Sequence, residues 1–430
     1  MTPKTKKFNQ FQYSETPNGY KLTEAGILPI DWNYAKLSDI SEQITQTAGT
    51  EKYETVSISA GIGFVNQAKK FGKELSGKQY AKYTVLHKGD FSYNKGNSKK
   101  YPQGCVYRLK DREIAAVPNV FESFRITTGC AEYYDQLFVS GYLNHQLFRL
   151  INHGVRDDGL LNLTHKDFYS CLLPVPSLPE QEKIAKILST QDKVIECYEK
   201  KIEQLRLMKK YYLQNMFPKR GETVPKIRFK GFTDPWEQRK LSSIYRNIRN
   251  AFVGTATSYY VPDGHFYLES NNVKDGQINR NSEVYINDDF YYQQKDKWLR
   301  TNDMVMVQSG HVGHAAVIPE NLDKTVAHAL IMFTDQIEET EPYFLNFQYQ
   351  TAKAIKKISD ITKGNTIKHI LSSDMQNFVV DVPSLGEQKQ IARFFQQLDN
   401  LITLHQRLCE EEKKKKKALQ QLLLTGIVRV

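Results

Sequence analysis

The 430-residue sequence holds little of what secreted or membrane proteins require. Its five cysteines (Cys105, Cys130, Cys171, Cys197 and Cys409) are scattered and odd in number. Such a set argues against a disulfide framework and has no metal-binding spacing. No apolar run reaches the length of a membrane span, and the opening MTPKTKKFNQF lacks the apolar core of a signal peptide. We therefore expect a cytoplasmic protein with no membrane partner.

Motifs for cofactors and metals are also scarce. The stretch AGIGF at 60–64 lacks the third glycine of a dinucleotide fingerprint, and a bare G-x-G is common in turns. A Walker A sequence is missing, which argues against a translocating ATPase. His311 and His314 are spaced to share a metal, but no nearby cysteine or carboxylate completes a site. The sequence thus predicts no metal, cofactor or catalytic residue in this chain.

Basic residues are in excess, but they are unevenly distributed. The net charge of +11 and the isoelectric point near 9.1 suggest a polyanionic partner. Residues 1–175 hold 22 basic and 17 acidic residues, whereas residues 218–382 hold 20 of each. A neutral second half cannot attract a polyanion by bulk charge, so we expect local loops to make its contacts.

The strongest feature of the sequence is an internal repeat with an offset of 207 residues. PSLPEQEKIAKILSTQDKVI at 176–195 returns as PSLGEQKQIARFFQQLDNLI at 383–402. The repeat is too long for a solenoid unit and indicates a duplicated domain followed by a helix. A second match, LPIDWNYAKLSDI at 28–40 with TDPWEQRKLSSI at 233–244, leads us to expect one core tryptophan in each half, Trp32 and Trp236.

Each copy of the repeat predicts a long helix. Ser177 with Glu180, and Ser384 with Glu387, fit the capping box that begins a helix. The 3-4 apolar spacing that follows predicts a coiled-coil seam between two antiparallel helices, each roughly 55–60 Å long. The alternative is two helices packed on separate cores. The predicted seam residues are Ile184, Leu188, Ile195, Tyr198, Ile202, Leu205, Ile391, Phe395, Leu398 and Ile402.

A charged run lies near the end of the second predicted helix. EEEKKKKK at 410–417 resembles a nucleic-acid tail, but its spacing fits i,i+4 ion pairs such as Glu412 with Lys416. We therefore expect a solvated helix face.

The paired P-S-L-x-E-Q-x-x-I-A segments and the two tryptophan phrases resemble the specificity subunits of type I restriction–modification systems over nearly the whole chain. The resemblance implies an α+β fold in which two target-recognition domains are separated by two long antiparallel coiled-coil helices, related by a pseudo-twofold internal repeat. The expected bounds are 1–175 and 218–382 for the recognition domains, and 176–217 and 383–430 for the helices.

The resemblance also implies function and partners. Each recognition domain would read one half of a bipartite, asymmetric site in double-stranded DNA. The helix pair would set the spacing and dock two modification (methyltransferase) subunits, which methylate adenine at N6, while restriction subunits translocate and cleave. S-adenosylmethionine, ATP and Mg would then belong to those partner subunits and not to this chain.

Two alternatives stay open at this point. The first is an enzyme, a DNA methyltransferase or nuclease with an unrecognised catalytic centre. An adenine methyltransferase needs an Asp/Asn-Pro-Pro-aromatic element, however, and the nearest stretch, EPYF at 341–344, lacks the tandem proline. The second alternative is a coiled-coil scaffold that binds proteins, which the neutral second half favours.

In each half, the loop after a predicted strand is the candidate for base recognition. Residues 94–104 (NKGNSKKYPQG) combine cations for phosphates, amides for adenine and a tyrosine for stacking. Residues 308–315 (QSGHVGHA) have no lysine or arginine. A solvated glycine turn is the alternative for both loops. The candidate DNA-binding residues are Asn94, Lys95, Asn97, Lys99, Lys100, Tyr101 and Gln103 in the first loop, and Gln308, Ser309 and His311 in the second.

A second glycine-containing stretch closes each half, at 153–168 and 362–375. The resemblance places this region near DNA. Arg156 in the first stretch, and Lys363, Asn365 and Lys368 in the second, are therefore further candidates for contacts to the DNA backbone or bases.

Overall fold

The chain forms two compact units in the computed structural model. The first comprises the chain up to Cys197 together with Leu408–Val430, and the second is Tyr198–Arg407. Each unit contains one α+β domain and part of each of two long helices. None of the helices in the described ranges combines the length and apolarity needed to cross a membrane. The structure describes residues 16–73, 77–96, 100–152, 160–364 and 368–430.

The domain of the first unit alternates short strands with short helices. Its strands are β1 (Tyr20–Thr23), β2 (Gly26–Pro29), β3 (Asn33–Lys36), β4 (Ser41–Gln43), β5 (Val56–Ser59), β6 (Gly63–Asn66), β7 (Thr84–His87), β8 (Phe91–Asn94), β9 (Cys105–Arg108), β10 (Ile114–Val117), β11 (Glu122–Ile126) and β12 (Leu172–Val175). Its helices are α1 (Leu37–Ile40), α2 (Gln67–Phe71), α3 (Ala131–Val139), α4 (Asn144–Leu150) and α5 (His165–Tyr169), and α6 (Leu178–Asn215) follows them.

The domain of the second unit follows a similar order. Its strands are β13 (Glu237–Lys240), β14 (Tyr245–Asn250), β15 (Tyr260–Val261), β16 (His265–Leu268), β17 (Val273–Lys274), β18 (Gln277–Ile278), β19 (Tyr285–Ile286), β20 (Met304–Val307), β21 (Ala315–Val317), β22 (Val326–Ala327), β23 (Leu330–Gln336) and β24 (Val379–Val382). Its helices are α7 (Leu241–Ile244), α8 (Asp288–Gln293), α9 (Pro342–Tyr349), α10 (Ala352–Ile361) and α11 (Ser372–Gln376), and α12 (Leu385–Leu424) follows them.

Both domains contain the same antiparallel four-stranded sheet. Its strand order is β4-β11-β8-β9 in the first unit and β14-β23-β20-β21 in the second. In each domain the strand before the long helix pairs with the strand after the tryptophan, β12 with β3 and β24 with β13. Trp32 and Trp236 are fully buried, which confirms the predicted core role. The duplication in the sequence is therefore a duplication of topology.

The long helices bury the predicted apolar stripe. In the first unit, Leu188 belongs to the domain core together with Leu423. In the second unit, Leu205 and Phe395 belong to the domain core. The stripe thus packs on the domain cores, and in each unit the same core also contains residues of the other long helix. The buried stripe residues are Ile184, Leu188, Ile202, Leu205, Ile391, Phe395 and Leu398, while Ile195, Tyr198 and Ile402 are half-buried.

Within the second unit, the segments of α6 and α12 pack antiparallel. The ring of Tyr198 lies 5.9 Å from that of His405, and the ring of Tyr212 lies 4.9 Å from that of Phe394. Residue numbers thus rise along one helix as they fall along the other. This direction agrees with the expected arrangement, while supercoiled coiled-coil packing stays a prediction.

In the charged run at 410–417, Glu412 and Lys416 have other partners than predicted. Glu412 pairs with Lys415 and accepts a hydrogen bond from Gln191. Lys416 instead reaches Asp192 on α6, with a nitrogen–oxygen distance of 2.5 Å. The predicted pair of Glu412 with Lys416 is therefore wrong, because partners on the neighbouring helix segment compete for both side chains.

The predicted capping boxes are also wrong. Glu180 and Glu387 are buried, at 5% and 0% exposure. Glu180 accepts hydrogen bonds from Trp32 Nε1 at 3.0 Å and from Arg429 at 2.6 and 2.7 Å. Glu387 accepts two from Arg228, both at 2.7 Å. In each unit the glutamate of the repeat ties the start of one long helix to an arginine that follows the other.

The glutamine of the repeat joins the start of each long helix to its domain. Gln181 accepts a hydrogen bond from the Cys130 N–H at 2.8 Å and donates one to the Pro176 carbonyl at 2.9 Å. Gln388 accepts in the same way from the Glu341 N–H at 3.0 Å. Both N–H groups lie directly before a domain helix, α3 or α9. The E-Q pair of the repeat therefore serves tertiary contacts.

Candidate DNA-binding loops

In each unit, the candidate loop and the closing glycine stretch lie side by side. In the first unit the loop joins β8 to β9, and the Leu161 N–H donates to the Lys95 carbonyl at 2.9 Å. In the second it joins β20 to β21, and the Gly310 N–H donates to the Lys368 carbonyl at 3.1 Å. Two stretches that the sequence identified separately thus form one surface in each domain.

Two residues of the first loop are engaged within the protein. Lys95 is mostly buried and pairs with Glu122 at 2.6 Å. Burial alone would raise the pKa of Glu122, but the hydrogen bonds from Lys95 and His165 hold it below its usual range. Asn94 donates to the Ile58 carbonyl at 3.3 Å and accepts from the Gly96 N–H at 2.8 Å. Lys95 and Asn94 therefore hold the base of the loop, and the geometry favours this role over DNA contact.

The far side of the first loop is more open. Lys100 is exposed, and its Nζ lies 5.8 Å from the centre of the Tyr101 ring. Gln103 is half-exposed and uses its backbone carbonyl to accept from Tyr93 at 2.8 Å. A cation, an aromatic ring and a side-chain amide thus lie within four residues of one another. Asn97, Lys99 and Arg156 lie outside the described residues.

A hairpin turn that is not among the DNA-binding candidates predicted from the sequence lies beside the first loop. The Gly61 N–H, in the turn between β5 and β6, donates to the Tyr107 hydroxyl at 2.8 Å. Tyr101 is so close to Gly61 that a Cβ there would lie 2.9 Å from the tyrosine oxygen. Ile62, at the tip of this turn, is 74% exposed. The only sign of this exposed turn in the sequence is an isoleucine between two glycines, at 61–63.

The second loop is held by its two histidines. His311 Nε2 lies 3.0 Å from the Ser270 carbonyl, and His314 Nδ1 lies 3.2 Å from the Asp275 nitrogen. Burial lowers the pKa of His314 and so favours its neutral form. Gln308 has a buried side-chain oxygen with no hydrogen-bond partner in the described part of the chain. Ser309 is half-buried and bridges to the closing stretch at His369.

The closing stretch of the second unit adds two exposed cations. Lys363 lies 3.5 Å from Asp374. Lys368 is also exposed and borders a cavity of about 710 Å³ that residues 310–315 help to line. Asn365 lies outside the described residues. No group of histidines, cysteines and carboxylates suited to a metal ion occurs among the residues the structure describes.

Helix α6 borders the same cavity, which sequence reasoning did not anticipate. Arg206 and Lys210 line it, although they belong to the helix that follows the first domain. The antiparallel packing of α6 on α12 was the available signal, because it returns the end of α6 to the second domain. Gly313 closes the opposite wall with φ of +90°, and a side chain there would collide with Ile358.

The chain thus consists of two similar α+β domains, each with paired surface loops and a long helix. The family described as the type I restriction modification DNA specificity domain matches residues 29–207 and 209–412. The chain therefore belongs to this family. It is a specificity subunit, and its part is DNA sequence recognition and not catalysis.

Curated relatives agree with this assignment. The chain is 25% identical over 432 residues to a protein assigned as the MjaX type I restriction enzyme specificity subunit of Methanocaldococcus jannaschii, covering 96% of this chain and 97% of that protein. It is 22% identical over 273 residues to the type I restriction enzyme EcoBI specificity subunit of Escherichia coli, covering 60% and 56%.

Solved structures show the same fold. The S subunit of a type I restriction–modification system from M. genitalium matches with a TM-score of 0.56 and 12% identity, covering 92% of this chain and 96% of that one. A chain from a structural study of complex assembly in the type I R-M system matches with a TM-score of 0.54 and 16% identity, covering 93% and 99%.

Proposed function

We propose that this chain selects the DNA site of a type I restriction–modification complex, with each domain reading one half of a bipartite site. One observation carries this proposal. In both domains the loop after the equivalent sheet strand, β8 or β20, is hydrogen-bonded to the closing glycine stretch. Each domain therefore has its own loop surface of polar and cationic side chains, as base and phosphate recognition requires.

The two halves of the site should differ in sequence. The first surface offers Lys100, Tyr101 and Gln103, while the second offers Gln308 and His311. Amide and cationic groups prefer different base edges in the major groove, so unlike surfaces select unlike bases. The proposed set of DNA contacts also includes Ser309, Lys363 and Lys368, and it leaves Asn94 and Lys95 to shape the loop.

The helix pair is the proposed dock for the modification subunits. In the second unit, α6 exposes Leu207, Met208 and Tyr211, and α12 exposes Leu401 and Leu404. Met208 directly precedes Lys209, which pairs with Asp399 on α12, and Leu401 directly precedes the stripe residue Ile402. Both side chains therefore lie on the same side of the antiparallel pair. Exposed apolar side chains grouped on one side of a helix pair are typical of a protein interface. Two copies of the repeat favour two modification subunits, and the helix lengths would set the spacing.

We assign the chemistry to the partners. S-adenosylmethionine would bind the modification subunits, and ATP and Mg would bind the restriction subunits. The candidate loops of this chain present amide, hydroxyl, imidazole and ammonium groups, which suit DNA. A cytoplasmic location accords with DNA as the target.

The proposal is tested by mapping N6-methyladenine in cells that carry this chain with its partner methyltransferase. We expect one motif made of two unlike specific halves around bases that are not read. Cells with the methyltransferase alone are the control and should lack the motif. A single continuous motif, or none, would contradict the proposal. Stoichiometric S-adenosylmethionine binding by the purified chain in calorimetry would instead support the enzyme alternative.

A further inference from the structure

The cavity of about 710 Å³ in the second unit lies between three elements. The candidate loop forms one wall through residues 310–315, α6 forms another through residues 206–214, and α10 forms the third. Its apolar lining includes Val312, Ile355 and Leu213. The cavity thus joins the candidate recognition loop of the second domain to the helix that follows the first domain.

Three cations at this cavity have no acidic partner within the described part of the chain. Arg206 and Lys210 lie one helical turn apart on α6, so both face the same side. Lys368 comes from the closing stretch, and all three side chains are exposed. Lys209, by contrast, pairs with Asp399 at 2.7 Å. The acidic residue at the cavity, Asp275, lies 3.9 Å from His314 and not beside the three cations in any ion pair.

A cavity of about 490 Å³ in the first unit also borders α6, but its charges are internally balanced. Each of its lining cations is paired within the protein, and each partner carboxylate lies 2.5 to 2.7 Å away. The pairs are Arg108 with Glu132, Lys110 with Asp135, and Lys416 with Asp192. Among the described residues, the first cavity therefore has no lining cation without an acidic partner, and α6 contributes no lysine or arginine to it.

The second domain has no excess of basic residues. Residues 218–382 have no net charge, and the loop at 308–315 has neither lysine nor arginine. Affinity for DNA depends on cations that neutralise phosphates and release counterions. Arg206 and Lys210 lie outside this domain in sequence but beside its recognition loop in the structure.

We propose that this cavity binds the DNA sugar–phosphate backbone, with Arg206 and Lys210 of α6 and Lys368 contacting phosphates of the half-site that the second domain reads. The apolar wall suits the deoxyribose, and the cations suit the phosphates on either side of it. This inference rests on the proposed function, and it makes the helix of one repeat part of the DNA surface of the other.

The test uses the full chain with its methyltransferase partner and a fluorescent duplex of mixed sequence. Anisotropy titrations at several salt concentrations give the slope of log K against log salt. The Arg206→Gln/Lys210→Gln variant should flatten this slope by about 1.8, because each lost phosphate contact removes about 0.9. The matched control is Lys193→Gln/Lys201→Gln, which removes two exposed cations of the same helix away from the cavity and should flatten it far less.

The possible outcomes distinguish the backbone site, the proposed function and a role in subunit docking. Equal slopes for the two double variants would overturn the backbone site while leaving DNA recognition intact. A wild-type complex that does not bind the duplex would overturn the proposed function and this inference with it. If the Arg206→Gln/Lys210→Gln variant no longer co-purifies with the methyltransferase while the control variant does, the cations serve subunit docking and the inference is wrong.

Discussion

The Arg228–Glu387 pair offers a sharp test of how the start of α12 is held. Glu387 is fully buried, and Arg228 is 12% exposed and donates two hydrogen bonds of 2.7 Å to it. Arg228→Ala leaves a buried carboxylate without its cation. Removing one partner of such a pair costs about 3–5 kcal/mol. Arg228→Ala combined with Glu387→Gln should recover part of this loss, because a neutral amide is cheaper to bury.

The first unit supplies the matched comparison. Arg429 is 40% exposed, and Glu180 keeps the hydrogen bond from Trp32 when Arg429 is removed. Arg429→Ala should therefore cost less, on the order of 1–2 kcal/mol. Trp236 offers no such help in the second unit, because its indole nitrogen has no partner among the described residues. The two arginines thus have equivalent places but unequal expected effects.

Hydrogen exchange read by mass spectrometry gives the required local measurement, because a chain of two units need not unfold in one step. Amides of residues 385–398 should exchange faster in Arg228→Ala, and those of residues 178–191 should change less in Arg429→Ala. Urea denaturation gives the corresponding free energies. A loss below 1 kcal/mol for Arg228→Ala, or an equal loss for both variants, would refute the reasoning.

Three further predictions follow from the loops, the fold and the repeat. Lys100→Gln should flatten the salt dependence of DNA binding by about 0.9, whereas Gln103→Ala should change base preference at one half-site by about 1–3 kcal/mol; identical effects of the two in anisotropy titrations would contradict their separate roles. Burial raises the pKa of Asp303 from 3.8 to about 6, so wild-type stability should fall as pH rises between these values. Asp303→Asn should remove that fall and raise Tm at pH 7.5 but not at pH 4, and an equal Tm shift at both would count against a buried charge. A fragment of residues 1–217 lacks Leu423 and the rest of α12 that packs on the first domain. Sedimentation should therefore show a homodimer in which α6 of a second copy takes the place of α12. A stable monomer would contradict this prediction.

Periodic and repeated features were predictable from the sequence. The 3-4 apolar spacing predicted both long helices, and the repeated tryptophans predicted both cores. Such features can be predicted because buried side chains recur at a fixed spacing along the sequence. The α+β class was an expectation from the family resemblance that the repeated motifs carry.

Tertiary partners were not predictable. Ser177 and Glu180 have the spacing of a capping box, but Arg429, 249 residues away, and Trp32 take the carboxylate instead. In the sequence Lys95 is equivalent to the other lysines of its loop, but in the fold it pairs with Glu122. A local sequence pattern shows which polar side chains a segment contains, whereas their hydrogen-bond partners depend on the tertiary structure.

The contribution of α6 to the second domain was missed for a related reason. Arg206 and Lys210 belong to a helix whose spacing predicts only packing. Their position beside residues 310–315 arises from the antiparallel return of the helix and not from any neighbouring motif.

The central claim is that two separate loop surfaces read two separate halves of the DNA site. Its most direct test maps N6-methyladenine in cells that carry the partner methyltransferase with either of two variants. Lys100→Gln/Gln103→Ala should relax the sequence of one half, and Gln308→Ala/His311→Ala should relax the other, while the spacing stays unchanged in both. Relaxation of both halves by either variant, or of neither half by both variants, would contradict the account.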